Sequence, residues 1–168
     1  GKYNFASAGS GTVHHLAGEL FKIQTGTFIT HIPYRGAGPA MNDLLAGQVD
    51  LEFDGLGTSA QQINGGKLFA ISVASPKPSP AIPNVPTFME AGLPNYEVST
   101  WYAMFAPKGT PKPIVDKMIA EVEKALNTPK LKAIWASNGS DTPNLYGEAF
   151  GKLVNSDVRF EMYLKKAG

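Results

Sequence analysis

The sequence predicts an α/β fold with a mainly parallel sheet flanked by helices. Short apolar stretches alternate with amphipathic ones from residue 3 to residue 74, and the connections between them are short and rich in glycine. Three of these connections follow predicted strands, at residues 7–12, 34–39 and 54–58. Because the carboxyl ends of parallel strands lie at one edge of a sheet, these turns are expected to converge into a ligand site.

The first half of the chain is predicted to hold four strands and three helices. The first helix carries Leu16, Leu20 and Ile23 on one side. Glycines follow each helical stretch, as expected at helix ends. In chain order we predict a strand at 3–8, a helix at 12–24, a strand at 28–33, a helix through Met41 and Leu45 to Gly47, a strand at 49–53, a helix through Ala60 and Ile63 to Gly65, and a strand at 68–74.

The composition of the sequence changes at Ser75, where prolines become frequent. Five prolines between residues 76 and 86 exclude regular structure and predict an extended surface segment, followed by a helical turn at 88–91. The aromatic run at 96–106 predicts a strand or crossing segment. Helices are then predicted from Pro111, with a one-sided apolar stripe from Ile114 to Leu126, from Thr128 to Asn138, and over 145–165.

The composition is that of a globular protein. The 168 residues suffice for one domain or two small lobes, and the formal net charge of +1 does not indicate nucleic acid or a membrane surface as a partner. No apolar run reaches membrane-spanning length, and no targeting signal is present at the N-terminus, so we expect a cytosolic protein or one whose signal has been removed. The absence of cysteine excludes disulfides and thiolate metal sites.

The stretch 5–21 reads as a strand, a glycine-rich turn and the start of a helix. Gly9 and Gly11 allow close backbone approach, Ser7, Ser10 and Thr12 offer hydroxyls, and the amides of a new helix point into the turn. Such a turn suits a carboxylate and a phosphate equally. The third glycine of a dinucleotide fingerprint is missing, and no phosphate-loop lysine follows, which disfavours a nucleotide. The alternative is a turn whose glycines only permit tight packing.

The second and third turns add further candidate ligand contacts. Tyr34 and Gly36 lie where the second turn would meet the same ligand. Arg35 has the chemistry of a carboxylate clamp, although after the strand it is equally compatible with a surface position. Asp54, in the third turn, can accept a hydrogen bond from a ligand hydroxyl, amine or water, whereas its charge would repel a carboxylate.

The two adjacent histidines do not indicate a metal site. His14 and His15 cannot share one helix face, so a metal pair is not predicted. A histidine satisfied by a neighbouring backbone group explains His15 at least as well as a ligand contact does. We expect no catalytic residue, no metal and no cofactor.

Several sequence blocks together resemble one known family. They are residues 6–12, 15–21, 32–36, 39–40, 43–50, 75–77, 83–87, 90–94, 101–102 and 105–111. On these blocks the chain resembles the Bug (Bordetella uptake gene) or TctC family, the periplasmic solute-binding proteins of tripartite tricarboxylate transporters. The match runs from residue 3 to about residue 166, although the tryptophan often found in the family's last helix is missing here.

The resemblance implies a fold, an organisation and a function. It implies a type II periplasmic-binding-protein-like α/β lobe at residues 1–100, with a crossover and C-terminal helices returning to the other lobe at 101–168. The N-terminal part of that other lobe would be absent, so self-association of the chain is expected. The implied function is capture of a small carboxylate or dicarboxylate in the periplasm, without catalysis, for delivery to membrane permease subunits. The residues expected to contact the ligand are Ser7, Gly9, Gly11, Thr12, His15, Tyr34, Arg35, Gly36 and Asp54.

Two alternative functions remain at this point. One is a serine-type acyl hydrolase with a hydroxyl of the first turn as nucleophile and His14 or His15 as base, although no Gly-x-Ser-x-Gly elbow is present. The other is the ligand-sensing domain of a transcription regulator, although no basic helix-turn-helix segment is evident.

Overall fold

The centre of the fold is a small parallel sheet. The structure, a computed structural model, describes residues 1–142 and 145–156. The strands β1 (Asn4–Ser7), β2 (Thr30–Pro33) and β3 (Leu51–Glu52) lie in the order β2-β1-β3, and both pairings are parallel. Phe5 in the central strand lies opposite His31 on one side and Leu51 on the other. The predicted parallel α/β architecture is confirmed, with shorter strands than expected.

Six helices accompany the sheet in the described residues. They are α1 (Val13–Thr25), α2 (Ala37–Leu45), α3 (Leu56–Asn64), α4 (Lys112–Leu126), α5 (Pro129–Ser137) and α6 (Gly147–Ser156). The helix predicted over 145–165 is therefore observed up to Ser156, and its remaining residues lie outside the described ranges. Within those ranges no helix has the length and apolar character that a membrane crossing requires.

The two faces of β1 are covered by different helices. On one face Phe5 packs against α1 at Gly18, where an added Cβ would lie 2.2 Å from the phenyl ring. On the other face Ala6 forms a buried cluster with Ala40 of α2 and Val49. Alternate side chains of a strand point to opposite faces, so this packing places α1 and α2 on opposite sides of the sheet. Both helices position the turns that follow the strands.

The strand order creates a crevice between β1 and β3. The chain passes from β1 to β2 on one side, and then returns to β3 on the other side of β1. In open α/β sheets, the connections that leave the two strands at such a reversal run to opposite sides of the sheet. This opens a crevice at the carboxyl ends of those strands, and ligands bind there. The turns after β1 and β3 therefore flank the expected ligand position.

The predicted fourth strand at 68–74 is wrong. In the described residues this segment makes only one isolated bridge, between Val73 and Thr87, and Phe69 is 90% exposed. The apolar residues match a strand in composition, but strand formation requires a neighbouring backbone to pair with and a surface to cover the side chains. In the described structure Val73 has both, whereas Phe69 and Ile71 remain exposed and pair with no strand.

The proline-rich segment is partly packed, in contrast to the predicted surface path. Ile82 and Thr87 are buried, and Thr87 and Glu90 cap each other's backbone amides at 3.2 Å and 2.7 Å, which forms the predicted turn. The buried Tyr96 hydroxyl donates to the carbonyl oxygen of Ala17 in α1 at 2.8 Å. The chain that follows the proline-rich segment is therefore hydrogen-bonded to α1.

The aromatic run at 96–106 is not a strand in the described structure. Its residues Tyr102, Met104 and Phe105 are exposed, while the Trp101 ring packs edge-on against Phe150 of α6 at a centroid distance of 5.6 Å. The predicted helix α4 is present, but it has no buried residue among those described. Two residues of its apolar stripe, Ile114 and Met118, are exposed to solvent.

Candidate functional site

The turn after β1 is held in shape by hydrogen bonds between the Thr12 side chain and the turn's own backbone. Thr12 is the N-cap of α1; its hydroxyl accepts from the amide of His15 at 3.4 Å and donates to the carbonyl oxygen of Gly9 at 2.7 Å. Gly9 and Gly11 have φ values of 133° and 79°, which other residues adopt only with strain. The first amides of a helix have no partner within the helix, and α1 begins at this turn. The turn therefore has the glycine-rich shape next to a helix start that the sequence predicts.

The turn after β2 is joined to the first turn by two backbone bonds. The amide of Tyr34 donates to the carbonyl oxygen of Ser7 at 3.0 Å, and the amide of Gly36 donates to that of Ala8 at 3.1 Å. The Tyr34 hydroxyl donates to Asp43 at 2.7 Å, and this bond raises the pKa of the tyrosine. Tyr34 and Gly36 thus lie beside the first turn, but the Tyr34 hydroxyl already has a partner.

Ser7 and His15 take part in a histidine stack that the sequence did not predict. The fully buried Ser7 hydroxyl lies 2.6 Å from Nε2 of His31, whose ring stacks between Phe5 and His15 at centroid distances of 4.9 Å and 4.0 Å. The Nδ1 atom of His15 accepts from the amide of Gly11 at 3.0 Å. Burial, followed by the neighbouring His15, lowers the pKa of His31. His31 was missed because it lies within a strand and not in a turn.

This stack differs from the geometry that an acyl hydrolase would need. The predicted base was His14 or His15, but the hydroxyl of Ser7 contacts His31 instead. Ser7 has no solvent-exposed surface, so a substrate carbonyl cannot reach its hydroxyl in this structure. Ser7 supports the shape of the turn.

Arg35 is the cation at this edge that is available for a ligand. It is exposed, and within residues 1–142 and 145–156 no hydrogen bond or ion pair of its guanidinium is observed. A guanidinium without an internal partner can bind a carboxylate with two parallel hydrogen bonds. Arg35 follows β2 directly and therefore lies at the same edge of the sheet as the first turn.

A buried acidic group occupies the crevice between β1 and β3. Asp54, just after β3, has a side chain only 6% exposed; Oδ2 accepts from Thr58 at 2.6 Å, and Oδ1 lies 3.7 Å from Nδ1 of His14. Glu52 is the last residue of β3 and lies two residues before Asp54. Candidate ligand atoms of His14, Glu52 and Asp54 all lie within 4.8 Å of one another.

Burial dominates the protonation of this group. It raises the pKa of Glu52 to about 8, with a smaller contribution from the Asp54 carboxylate. Burial also raises the pKa of Asp54 and lowers that of His14. Both Glu52 carboxylate oxygens, Oδ1 of Asp54 and Nδ1 of His14 are buried, and the described residues offer them no hydrogen-bond partner. Of these three residues the sequence analysis selected only Asp54 as a ligand contact, because nothing local indicates that Glu52 and His14 meet.

The chain matches one protein family over nearly its whole length. Residues 1–167 match the family TctC, described as "Tripartite tricarboxylate transporter family receptor". A protein of Pseudomonas sp. strain P51, encoded between tcbD and tcbE, is 41% identical over 155 residues, which are 89% of this chain and 46% of that protein. A protein of Agrobacterium vitis is 40% identical over 136 residues, 81% of this chain and 39% of that protein. The chain therefore spans about half the length of these relatives, or less.

Solved structures of similar proteins agree with this result. The periplasmic binding protein BugD is 39% identical, with a TM-score of 0.91 over 99% of this chain and 57% of that one. The R. palustris protein Rpa4515, solved with adipate, is 31% identical with a TM-score of 0.92 over 99% and 56% of the chains. MatC from Rhodopseudomonas palustris, solved with bound malate, is 33% identical with a TM-score of 0.90 over 96% and 56%.

Proposed function

Because the chain belongs to the TctC family of tripartite tricarboxylate transporter receptors, we propose that it captures a small carboxylate or dicarboxylate in the periplasm and delivers it to membrane permease subunits. The family and its structural neighbours are periplasmic solute-binding proteins and not enzymes. Two of those neighbours were solved with adipate and malate, both dicarboxylates.

The observation that carries the proposal is the glycine-rich turn at 8–12. It combines an N-capped helix start, two glycines with positive φ and a position at the crevice between β1 and β3. The partial positive charge of a helix N-terminus stabilises an anion there by roughly 0.3–1 kcal/mol. Arg35 adds a full positive charge at the same edge. A carboxylate seated on the turn would therefore meet backbone donors first and a guanidinium second.

The other expected contacts take more limited roles in this proposal. The hydroxyls of Ser7 and Tyr34 hold the turn through His31 and Asp43, and His15 holds the amide of Gly11. Gly9, Thr12 and Gly36 give the loops their conformation. Asp54 lies across the crevice, where it could accept from a hydroxyl of the ligand.

We also propose that the site is one half of a cleft. Residues 1–100 would form one ligand-binding lobe, and residues 101–168 would be the crossover and helices that belong to the other lobe. Two observations support this organisation. Apolar side chains of α4 are exposed, and the chain spans only about half the length of the relative from Pseudomonas sp. strain P51. A ligand held by one lobe alone would keep much of its surface in water and bind weakly.

Isothermal titration calorimetry tests the proposal with two proteins. The chain, and a version extended at its N-terminus to the length of its relatives, are titrated with mono-, di- and tricarboxylates. We expect the extended protein to bind one acid tightly and the 168-residue chain to bind it much more weakly. If neither protein binds any carboxylate, the proposal is wrong.

A matched pair of glycine variants then locates the site. Gly11→Ala and Gly26→Ala both place a Cβ at positive φ, 79° and 65°, with no atom within 4 Å, at opposite ends of α1. Backbone strain should therefore be similar in the two variants, whereas only Gly11→Ala places a methyl group where the ligand is proposed to bind. We expect Gly11→Ala to weaken carboxylate binding in the extended protein about tenfold or more, and Gly26→Ala to leave it unchanged. Equal losses would contradict this location.

A further inference from the structure

The group in the crevice between β1 and β3 contains more buried polar atoms than its own hydrogen bonds satisfy. Asp54 and Glu52 contribute two carboxyl groups, and the described residues provide neither with a lysine or arginine partner. Burying such groups is unfavourable unless they are paired or coordinate a metal. The buried side chain of Asp54, 6% exposed, directs its unpartnered Oδ1 toward the same point as His14.

The ligand atoms come from three separate elements of the fold. His14 is the second residue of α1, Glu52 ends β3 and Asp54 precedes α3. The unpartnered atoms are one imidazole nitrogen and three carboxylate oxygens, which are acceptors when the imidazole is neutral and the acids are ionised. Since no helix terminus or single loop supplies this set, it is assembled only by the tertiary fold.

We propose that His14, Glu52 and Asp54 form a binding site for a divalent transition-metal ion such as Zn²⁺. This proposal goes beyond carboxylate capture and does not depend on it.

The mixed donor set favours a transition metal over other cations. Ca²⁺ and Mg²⁺ are bound by oxygen ligands, whereas an imidazole nitrogen with carboxylates suits Zn²⁺ and its neighbours in the first transition row. Three protein ligands with one position left for water or another ligand is the arrangement of an open zinc site. The charge of +2 would offset the two buried carboxylates.

The distances require only a small closure around the ion. Zn²⁺ bonds to nitrogen and oxygen are about 2.0–2.2 Å, which places tetrahedral ligand atoms roughly 3.4 Å apart. The His14 and Asp54 atoms are 3.7 Å apart, close to that value. All three ligand atoms lie within 4.8 Å of one another, and rotation about the side-chain bonds of Glu52 can supply the remaining closure.

The test uses the 168-residue chain with Zn²⁺ as the probe and no carboxylate ligand or buffer present. Metal-free protein is titrated with zinc chloride by calorimetry at neutral pH, and its Tm is measured with and without zinc. We expect one Zn²⁺ per chain and a higher Tm in its presence, because an ion that binds only the folded state stabilises it. Absence of Zn²⁺ binding would overturn the proposal.

Three variants distinguish this site from other zinc-binding positions. Glu52→Gln and His14→Gln each remove one ligand and should weaken Zn²⁺ binding about tenfold or more. Glu121→Gln, on the exposed surface of α4, is the matched control and should change nothing. Circular dichroism establishes that each variant is folded. Unchanged binding in both ligand variants, or an equal loss in Glu121→Gln, would overturn the assignment.

Carboxylate binding and metal binding give separate results. The calorimetric experiment on the extended protein can fail while Zn²⁺ still binds the chain, and the reverse can also occur. Loss of Zn²⁺ binding in His15→Gln, with His14→Gln unaffected, would place the ion at the histidine stack and would overturn the proposed ligand set.

Discussion

The polar side chains around the first turn are already hydrogen-bonded or in contact with other groups of the protein. The hydroxyl of Thr12 bonds to Gly9, that of Ser7 contacts His31, and His15 accepts from Gly11. A sequence shows which groups can donate, but it does not show which donors the fold has already used. What remains for an anion is the set of backbone donors at the start of α1, together with Arg35.

The histidine stack predicts a pH dependence of stability. The pKa of His31 is lowered in the folded protein, mainly by burial and then by His15, while Glu19 opposes and Lys22 adds to the shift. The unfolded chain therefore takes up a proton on His31 more readily, and this residue's contribution to stability is lost as pH falls below about 6.5 through the lower folded pKa.

The measurement is Tm between about pH 7.5 and about pH 5 for the wild type and His31→Gln. Glutamine can keep a polar atom near Ser7 but does not titrate in this range. We expect Tm to fall less steeply with pH in the variant, since the contributions of His14 and other groups are common to both proteins. Equal slopes would show that His31 does not titrate differently on folding.

At the scale of elements, the approach of α1 to the sheet depends on one glycine. Gly18 lies on the buried face of α1, directly over the Phe5 ring of β1. A side chain there would push α1 away from the sheet. The first turn, which leads directly into α1, would be displaced with it. The helix and the candidate site are therefore coupled through this contact.

A pair of alanine substitutions tests this contact. Gly18→Ala should lower the free energy of unfolding by about 1–3 kcal/mol, because its Cβ would lie 2.2 Å from a Phe5 ring atom. Gly38→Ala, in α2 with nothing within 4 Å of the new Cβ, should raise it by up to about 1 kcal/mol through helix propensity. Urea unfolding measures both. Equal effects of the two substitutions would contradict the packing of α1 on Phe5.

At the scale of the whole molecule, large apolar side chains are exposed on three segments of the chain. The exposed side chains lie on the 68–74 segment, on the aromatic run and on α4; they are Phe69, Ile71, Tyr102, Met104, Phe105, Ile114 and Met118. Surfaces of this kind usually mark a place where another part of a protein docks. The relative from Pseudomonas sp. strain P51 is about twice as long as this chain, and in the proposed two-lobe organisation its additional length would cover such a surface.

The uncovered surface predicts self-association of the 168-residue chain. Sedimentation velocity should show a weight-average sedimentation coefficient that rises with concentration, since burying apolar surface stabilises contacts by about 25 cal/mol per Å². Phe69→Ser combined with Met104→Ser should reduce this rise, whereas Glu121→Gln should not. The chain extended at its N-terminus should show a smaller rise than the wild-type chain. A monomeric chain at all concentrations would contradict the prediction.

The sequence by itself determined the class of the fold and the order of the elements around the first turn. These features depend on local preferences: apolar periodicity and glycines that can adopt positive φ. The prediction of a fourth strand was wrong because strand formation depends on a neighbouring backbone to pair with, and composition does not reveal whether one is present. Only the tertiary structure placed His31 against Ser7, and His14 beside Glu52 and Asp54. Those contacts join residues far apart in the chain, and the register and packing of the sheet decide which of them meet.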